Sequence, residues 1–73
     1  MANIYTLSTQ TNGITDVRVK LQEVRDRKGV VTSWLVNVSH KGFEIIDRRI
    51  KHKKVAQDLY NKYRAAVWEG WKP

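Results

Sequence analysis

A run of cations between residues 48 and 54 is the part of this sequence with the clearest chemical consequence. Five Lys or Arg side chains and one histidine surround a single isoleucine there, in the order Arg48-Arg49-Ile50-Lys51-His52-Lys53-Lys54. Clustered Lys and Arg side chains are typical ligands of phosphate groups, above all those of a nucleic-acid backbone. The alternative interpretation is a solvated charge run with no ligand.

The run leads directly into a predicted helix. Apolar residues recur at helical spacing from about Lys53 to Trp68, at Val55, Ala56, Leu59, Tyr60, Tyr63, Ala66 and Val67. Two lysines therefore fall in the first turn, where the helix dipole disfavours each cation by about 0.3–1 kcal/mol. No Ser, Thr, Asp or Asn stands at 51–53 to cap the helix. Free N–H groups beside lysines favour an anion, so the pattern predicts a phosphate site at this helix start.

Three strands are predicted before the helix, over 14–25, 30–39 and 43–50. The first two alternate, with inward positions at Val17, Val19, Leu21, Trp34, Val36 and Val38. Val24 is out of phase with its strand and indicates a bulge or the strand's end. In the third strand Phe43 and Ile45 compete with Ile46 and Ile50 for the inward face, so its register stays open. Gly70 is predicted to end the helix in a left-handed conformation, with Trp71 folded back onto the last turn.

These elements predict an α+β fold: a three-stranded antiparallel sheet with one C-terminal amphipathic helix packed on one face. Residues 14–73 form this single domain. Residues 1–13 are polar and end in the turn signal Asn12-Gly13, and they are interpreted as a partly ordered arm. A short edge strand around Ile4, Tyr5 and Leu7 is the alternative.

The opposite sheet face is predicted to be uncovered and to mix cations with amides. Its candidate ligand-binding residues are Arg18, Lys20, Gln22 and Asn37. Arg and Lys pair with guanine and Asn and Gln with adenine in a major groove, which admits a narrow β-structure. Further candidates for phosphate contact lie in the predicted turns, at Arg25, Arg27, Lys28 and Lys41.

Composition and charge restrict the classes of function that the chain can have. The chain has 73 residues, no cysteine and a net charge of +7, with a pI near 10.1. A basic domain of this size attracts polyanions, and nucleic acid is the commonest. Neither histidine has a carboxylate at a suggestive spacing, so catalysis, a metal site and a cofactor are not expected. No apolar run is long enough to span a bilayer and no signal-peptide pattern is present, so a cytoplasmic protein is expected.

From Trp34 onward the chain resembles the arm-type DNA-binding domains at the N-terminus of phage and transposon tyrosine recombinases. The residues that carry the resemblance are Trp34-Leu35-Val36-Asn37-Val38, Gly42, Arg48-Arg49-Ile50 and Lys53-Lys54-Val55-Ala56. In that family a three-stranded sheet enters the major groove, which would give that role to Arg18, Lys20, Asn37 and Arg49. The resemblance covers about half of the chain, and His52 stands where the family usually has threonine.

The same sheet and basic helix start also resemble the C-terminal part of a double-stranded-RNA-binding domain. Lys51, Lys53 and Lys54 match the lysines that bridge phosphates in that family, but residues 1–16 do not read as its first helix. The sequence therefore predicts a phage-type or mobile-element accessory protein that binds duplex DNA, with RNA as the second choice. A protein of another class, which binds a host protein or itself through Trp68 and Trp71, is the third.

Overall fold

Four antiparallel strands and one C-terminal helix make up residues 3–71, the residues that the computed structural model of this chain describes. The strands are β1 (Asn3–Asn12), β2 (Val17–Arg25), β3 (Val31–His40) and β4 (Phe43–Ile50), and the helix is α1 (Lys53–Trp68). The sheet order is β1-β2-β3-β4, a meander in which every connection is a tight turn. The α+β class, the antiparallel sheet and the bounds of the helix are as predicted.

The prediction of three strands is wrong, because residues 3–12 form a complete edge strand and not a partly ordered arm. This strand pairs with β2 along its length, from Asn3 opposite Arg25 to Asn12 opposite Val17. Its side chains are mostly exposed, so it has almost no hydrophobic alternation to mark it in the sequence. Backbone hydrogen bonds to β2 hold it in place, and these leave no trace in side-chain type.

The core lies between the helix and the middle of the sheet, as the alternation predicted. Strands β2 and β3 place Val17, Val19, Leu21, Val36 and Val38 under the helix, which contributes Ala56, Tyr60 and Val67. Val55 was predicted to belong to the same apolar stripe, but it is 53% exposed. It stands in the first turn, where the helix has only begun to cross the sheet, so its side chain remains in solvent.

The open register of β4 is resolved by a bulge. Val38 pairs with Ile46 but Ser39 pairs with Glu44, so Ile45 is the extra residue. Ile46 and Ile50 face the helix and pack against the core, whereas Ile45 and Phe43 are exposed. A second bulge lies opposite Val24 and Arg25, which pair with Ser33 and Val31, so its extra residue is Thr32 of β3. The bulge or strand end predicted at Val24 itself is not found, since β2 continues regularly to Arg25.

The two ends of the helix differ in how their backbone groups are satisfied. At the start, His52 is the N-cap residue, and it makes no side-chain capping bond. At the end, Gly70 has a φ of 93° and the backbone N–H of Trp71 donates to the carbonyl of Ala66 at 2.9 Å. Together with the N–H of Gly70, which donates to Val67, this forms a Schellman motif. The predicted glycine end of the helix is confirmed.

Asn12 joins the β1–β2 turn to the end of the helix. Its Nδ2 donates to the carbonyl of Val67 at 2.9 Å, and its Oδ1 accepts from the backbone N–H groups of Ile14 and Thr15. The sequence predicted this residue as a turn former through a positive φ, but the positive φ in this turn belongs to Asp16. Asn12 acts through its side chain, and it fixes the helix end against the sheet.

Replacing Asn12 with alanine is expected to lower the free energy of unfolding by about 1–3 kcal/mol, because the carbonyl of Val67 and two turn N–H groups lose a part-buried partner. Chemical denaturation measures the change. Asn61→Ala is the control, since Asn61 makes an exposed side-chain bond with Gln57 that is worth about 0.2–0.5 kcal/mol. Equal losses in the two variants would contradict the role of Asn12 as a tether.

Within residues 3–71 the structure contains no helix long and apolar enough to cross a membrane.

Candidate nucleic-acid interface

The cations predicted to bind phosphate gather at one end of the molecule, which we call the basic end. It consists of the β2–β3 turn with Arg27 and Lys28, and of the segment from Lys51 to Lys54 that begins the helix. Both lie at the same end of the sheet, because β2 and β4 run in the same direction in this meander and finish there. The cations at this end are lysines and arginines, and they and His52 are all exposed.

Two of the predicted cations at this end are already paired within the chain. The guanidinium of Arg25 forms an ion pair with Glu23 and lies 4.5 Å from the centre of the Tyr5 ring. Lys54 Nζ lies 3.1 Å from Asp58 Oδ2, in an exposed pair one helical turn apart. Such an exposed pair is worth only about 0.3–0.5 kcal/mol and breaks readily. Arg25 is therefore engaged within the chain, whereas Lys54 can exchange its contact with Asp58 for one with a phosphate.

The basic run of residues 48–54 is divided by the pleat of β4. Arg48 pairs with Val36, a core residue, so it points to the helix side of the sheet. Arg49 pairs with Leu35 and points to the uncovered face. From the sequence we expected Arg48 and Arg49 to act in one cluster, but successive side chains of a strand lie on opposite faces of the sheet. Only Arg49 joins the sheet-face residues to the basic end.

The uncovered face carries the predicted mixture of cations and amides, partly held by two separate sets of side-chain hydrogen bonds. Asn37 Nδ2 donates to Gln22 Oε1 at 2.9 Å, and Gln22 Nε2 donates to Thr6 Oγ1 at 3.1 Å. Arg18 Nε donates to Thr11 Oγ1 at 3.3 Å. The threonines of β1 therefore orient the amide and guanidinium groups that the sequence singled out. That contribution went unpredicted because β1 itself was not expected in the sheet.

Two carboxylates interrupt the positive charge of the uncovered face. Glu44 and Asp47 of β4 pair with Ser39 and Asn37, so both point to this face. Repulsion from Asp47 and a hydrogen bond with it raise the pKa of Glu44, and nearby Lys20 opposes the rise. The uncovered face is therefore basic along β2 and acidic along part of β4. From the sequence we expected cations and amides on this face but neither carboxylate, because the register of β4, with its bulge, decides which face Glu44 and Asp47 occupy.

The remaining candidate, Lys41, lies far from the basic end. It occupies the β3–β4 turn with a φ of 52°, and its backbone N–H donates to the carbonyl of Asp16 in the β1–β2 turn. These two turns are at the opposite end of the sheet. Lys41 therefore does not join the other predicted phosphate ligands.

That opposite end, which we call the apolar end, exposes several large hydrophobic side chains: Ile14 at 97%, Phe43 at 77% and Trp68 at 74%. Ile14 and Trp68 line one shallow cavity with Asn12 between them. The sequence suggested a contact role for Trp68 but none for Ile14, which stands alone in a polar turn, or for Phe43, which was a candidate for the inward face of its strand. The three most exposed large hydrophobic side chains of residues 3–71 thus lie at this end, although Ile4, Val30 and Val55 near the basic end are also 53–57% exposed.

Comparison of the chain with known proteins gives no relative: no protein-family model, no curated protein and no solved structure matches it.

Proposed function

We propose that this protein binds duplex nucleic acid, preferentially DNA, through phosphate contacts at its basic end. The observation that carries the proposal is the position of exposed Lys51 and Lys53 at the uncapped start of the helix. The first turn contains no acidic residue, and the N-cap side chain makes no bond to the free N–H groups. This arrangement opposes the helix dipole, and a bound phosphate offsets it.

Arg27 and Lys28 extend this contact from the neighbouring turn. Asp26 Oδ1 accepts from the backbone N–H groups of Lys28 and Val30, which fixes the shape of the turn. The two cations at its tip are then free to reach a second phosphate. Contacts from two separate segments give a fixed orientation on a duplex, which one lysine-rich segment alone does not.

The uncovered face supports DNA as the preferred duplex. Arg49 leads from the basic end onto this face, where Gln22 and Asn37 present amide groups beside Lys20. Amides and cations on a sheet surface match the donor and acceptor groups of a DNA major groove, whereas the major groove of duplex RNA is too deep and narrow. Glu44 and Asp47 oppose this contact along part of β4.

A second candidate function is binding to another protein through the apolar end. The exposure of Ile14, Phe43 and Trp68 at one end of a small domain favours it. In that case the positive charge would steer an acidic partner and would make no contact with phosphate.

Affinity for a fluorescent DNA duplex, measured by anisotropy against salt concentration, tests the proposal. If Arg27, Lys28, Lys51 and Lys53 each contact one phosphate, the plot of log affinity against log salt has a slope of about −3.6. Tighter binding to an RNA duplex of the same sequence would favour RNA as the ligand. Absence of binding to either duplex at micromolar protein and low salt would refute the proposal and leave the protein-partner candidate.

A further inference from the structure

The outer edge of β1 is open and carries neither charge nor proline. Within residues 3–71, β1 is the first strand of the sheet and no other strand pairs with its outer side. Its 10 residues, NIYTLSTQTN, contain no charged residue and no proline. Folded proteins normally protect an exposed edge with charges, proline, a very short strand or a bulge, and of these β1 has only a bulge, between Thr6 and Ser8. The other edge strand follows that rule, since β4 carries Glu44, Asp47, Arg48 and Arg49.

A bulge at the middle of β1 makes the strand symmetric about its own midpoint. Before the bulge, Ile4 and Thr6 lie on the uncovered face; after it, Thr9 and Thr11 lie on that same face. If a regular ten-residue strand paired with a second copy about its midpoint, each side chain would lie opposite one from the other face of the sheet. The reason is that side chains alternate between the two faces with a period of two. The shift between Thr6 and Ser8 removes this mismatch.

We propose that two copies of this chain pair antiparallel through β1, around a two-fold axis at Leu7 and Ser8. Thr6 of each copy then lies opposite Thr9 of the second copy, and Ile4 lies opposite Thr11. Two four-stranded sheets join into one sheet with both helices on the same side. The contact is isologous, so each copy supplies the same surface and the assembly closes as a dimer.

The same geometry covers an exposed tryptophan. Tyr5 and Gln10 both lie on the helix side of β1, because they pair with Glu23 and Val19. Across the two-fold axis Tyr5 stands opposite Gln10 of the second copy. Gln10 lines a shallow cavity together with Trp68, which is 74% exposed. Each Trp68 is thereby placed beside Tyr5 of the second copy, and the pairing buries apolar surface on both.

Charge also favours β1 as the place where two copies meet. Each chain carries a net charge of +7, so copies repel one another unless the contacting surfaces are neutral. β1 begins at the basic end and finishes at the apolar end. Antiparallel pairing therefore sets the two basic ends at opposite extremes of the dimer, which is the arrangement with the least repulsion.

Sedimentation of the wild-type protein without nucleic acid is the first test, and it is independent of the function proposed above. The expected mass rises with concentration from 8.6 kDa towards twice that value. In Thr6→Lys/Thr9→Lys two pairs of like charges would lie directly opposite across the axis, and we expect a dissociation constant about tenfold higher or more. A wild-type protein that stays at 8.6 kDa up to millimolar concentration overturns the proposal, as does a lysine variant that dimerises like the wild type.

Disulfide formation tests the register, since the chain has no cysteine of its own. In Thr6→Cys/Thr9→Cys the two sites of one chain are about 10 Å apart along the strand, too far for an internal bridge. Across the axis each cysteine faces its counterpart at about 5 Å, so oxidation is expected to give a covalent dimer. Glu44→Cys/Asp47→Cys is the matched control, with the same spacing across a bulge on the other edge strand. Equal cross-linking of the two variants would refute pairing through β1.

Discussion

Replacing Lys51 and Lys53 with glutamate is expected to weaken binding to duplex DNA by ~60-fold at about 0.1 M salt, since each lost phosphate contact removes about 0.9 units of log–log salt slope. The slope itself is expected to become shallower by about 1.8 for the same reason. Anisotropy titrations at several salt concentrations measure both changes. These two lysines are chosen because Lys54 already contacts Asp58, so its reversal would also create a repulsive pair in the helix.

The double variant is expected to fold at least as well as the wild type. Lys53 lies in the first helical turn, where glutamate matches the dipole and stabilises the helix by about 0.3–1 kcal/mol, and Lys51 is an exposed residue just before the N-cap. Denaturation therefore separates loss of binding from loss of folding. Lys41→Glu/Lys62→Glu changes the net charge equally at exposed sites away from the basic end. If that control weakens DNA binding as much, bulk charge explains the affinity and the basic end has no special role.

Replacing Glu44 with glutamine and Asp47 with asparagine is expected to tighten binding to duplex DNA about eightfold. Each carboxylate on the uncovered face repels a phosphate by about 0.6 kcal/mol at ~7 Å in water, and two such terms sum to about 1.2 kcal/mol. The expectation depends on the uncovered face meeting DNA. The double variant therefore tests whether the uncovered face contacts DNA, independently of the basic end.

The matched control for this gain is Asp16→Asn/Glu69→Gln, which removes two exposed carboxylates near the apolar end. Asparagine tolerates the positive φ of Asp16. If both double variants tighten binding equally, net charge is the cause. If neither does, the uncovered face lies away from DNA, and the basic end makes the contact alone.

The sequence predicted the elements whose side chains alternate between buried and exposed positions. Helix α1 and strands β2 and β3 each bury one stripe, and their core faces were assigned correctly from it except at Val55, which is exposed. β1 was misjudged because its 10 residues are almost all exposed and its pairing with β2 rests mainly on backbone hydrogen bonds. The neighbouring strand β2 specifies this pairing, so the residue types of β1 do little to predict it.

The candidate site was predictable as a set of residues but not as a surface. The sequence identified the basic run, yet whether Arg48 and Arg49 act together depends on the pleat of β4, which separates them. The bulge at Ile45 decides that Glu44 shares a face with Asp47. A one-residue shift of this kind has no hydrophobic signature in a strand that is exposed on most of its length.

Chemical-shift mapping of the labelled protein with a short DNA duplex tests the central claim most directly. We expect the largest backbone amide shifts at Arg27, Lys28 and Lys51 to Lys53, with smaller shifts at the β2 and β4 residues of the uncovered face. These shifts should reverse on addition of salt, because the contacts are to phosphate. Shifts confined to Ile14, Phe43 and Trp68, with the basic end unchanged, would contradict the proposed interface.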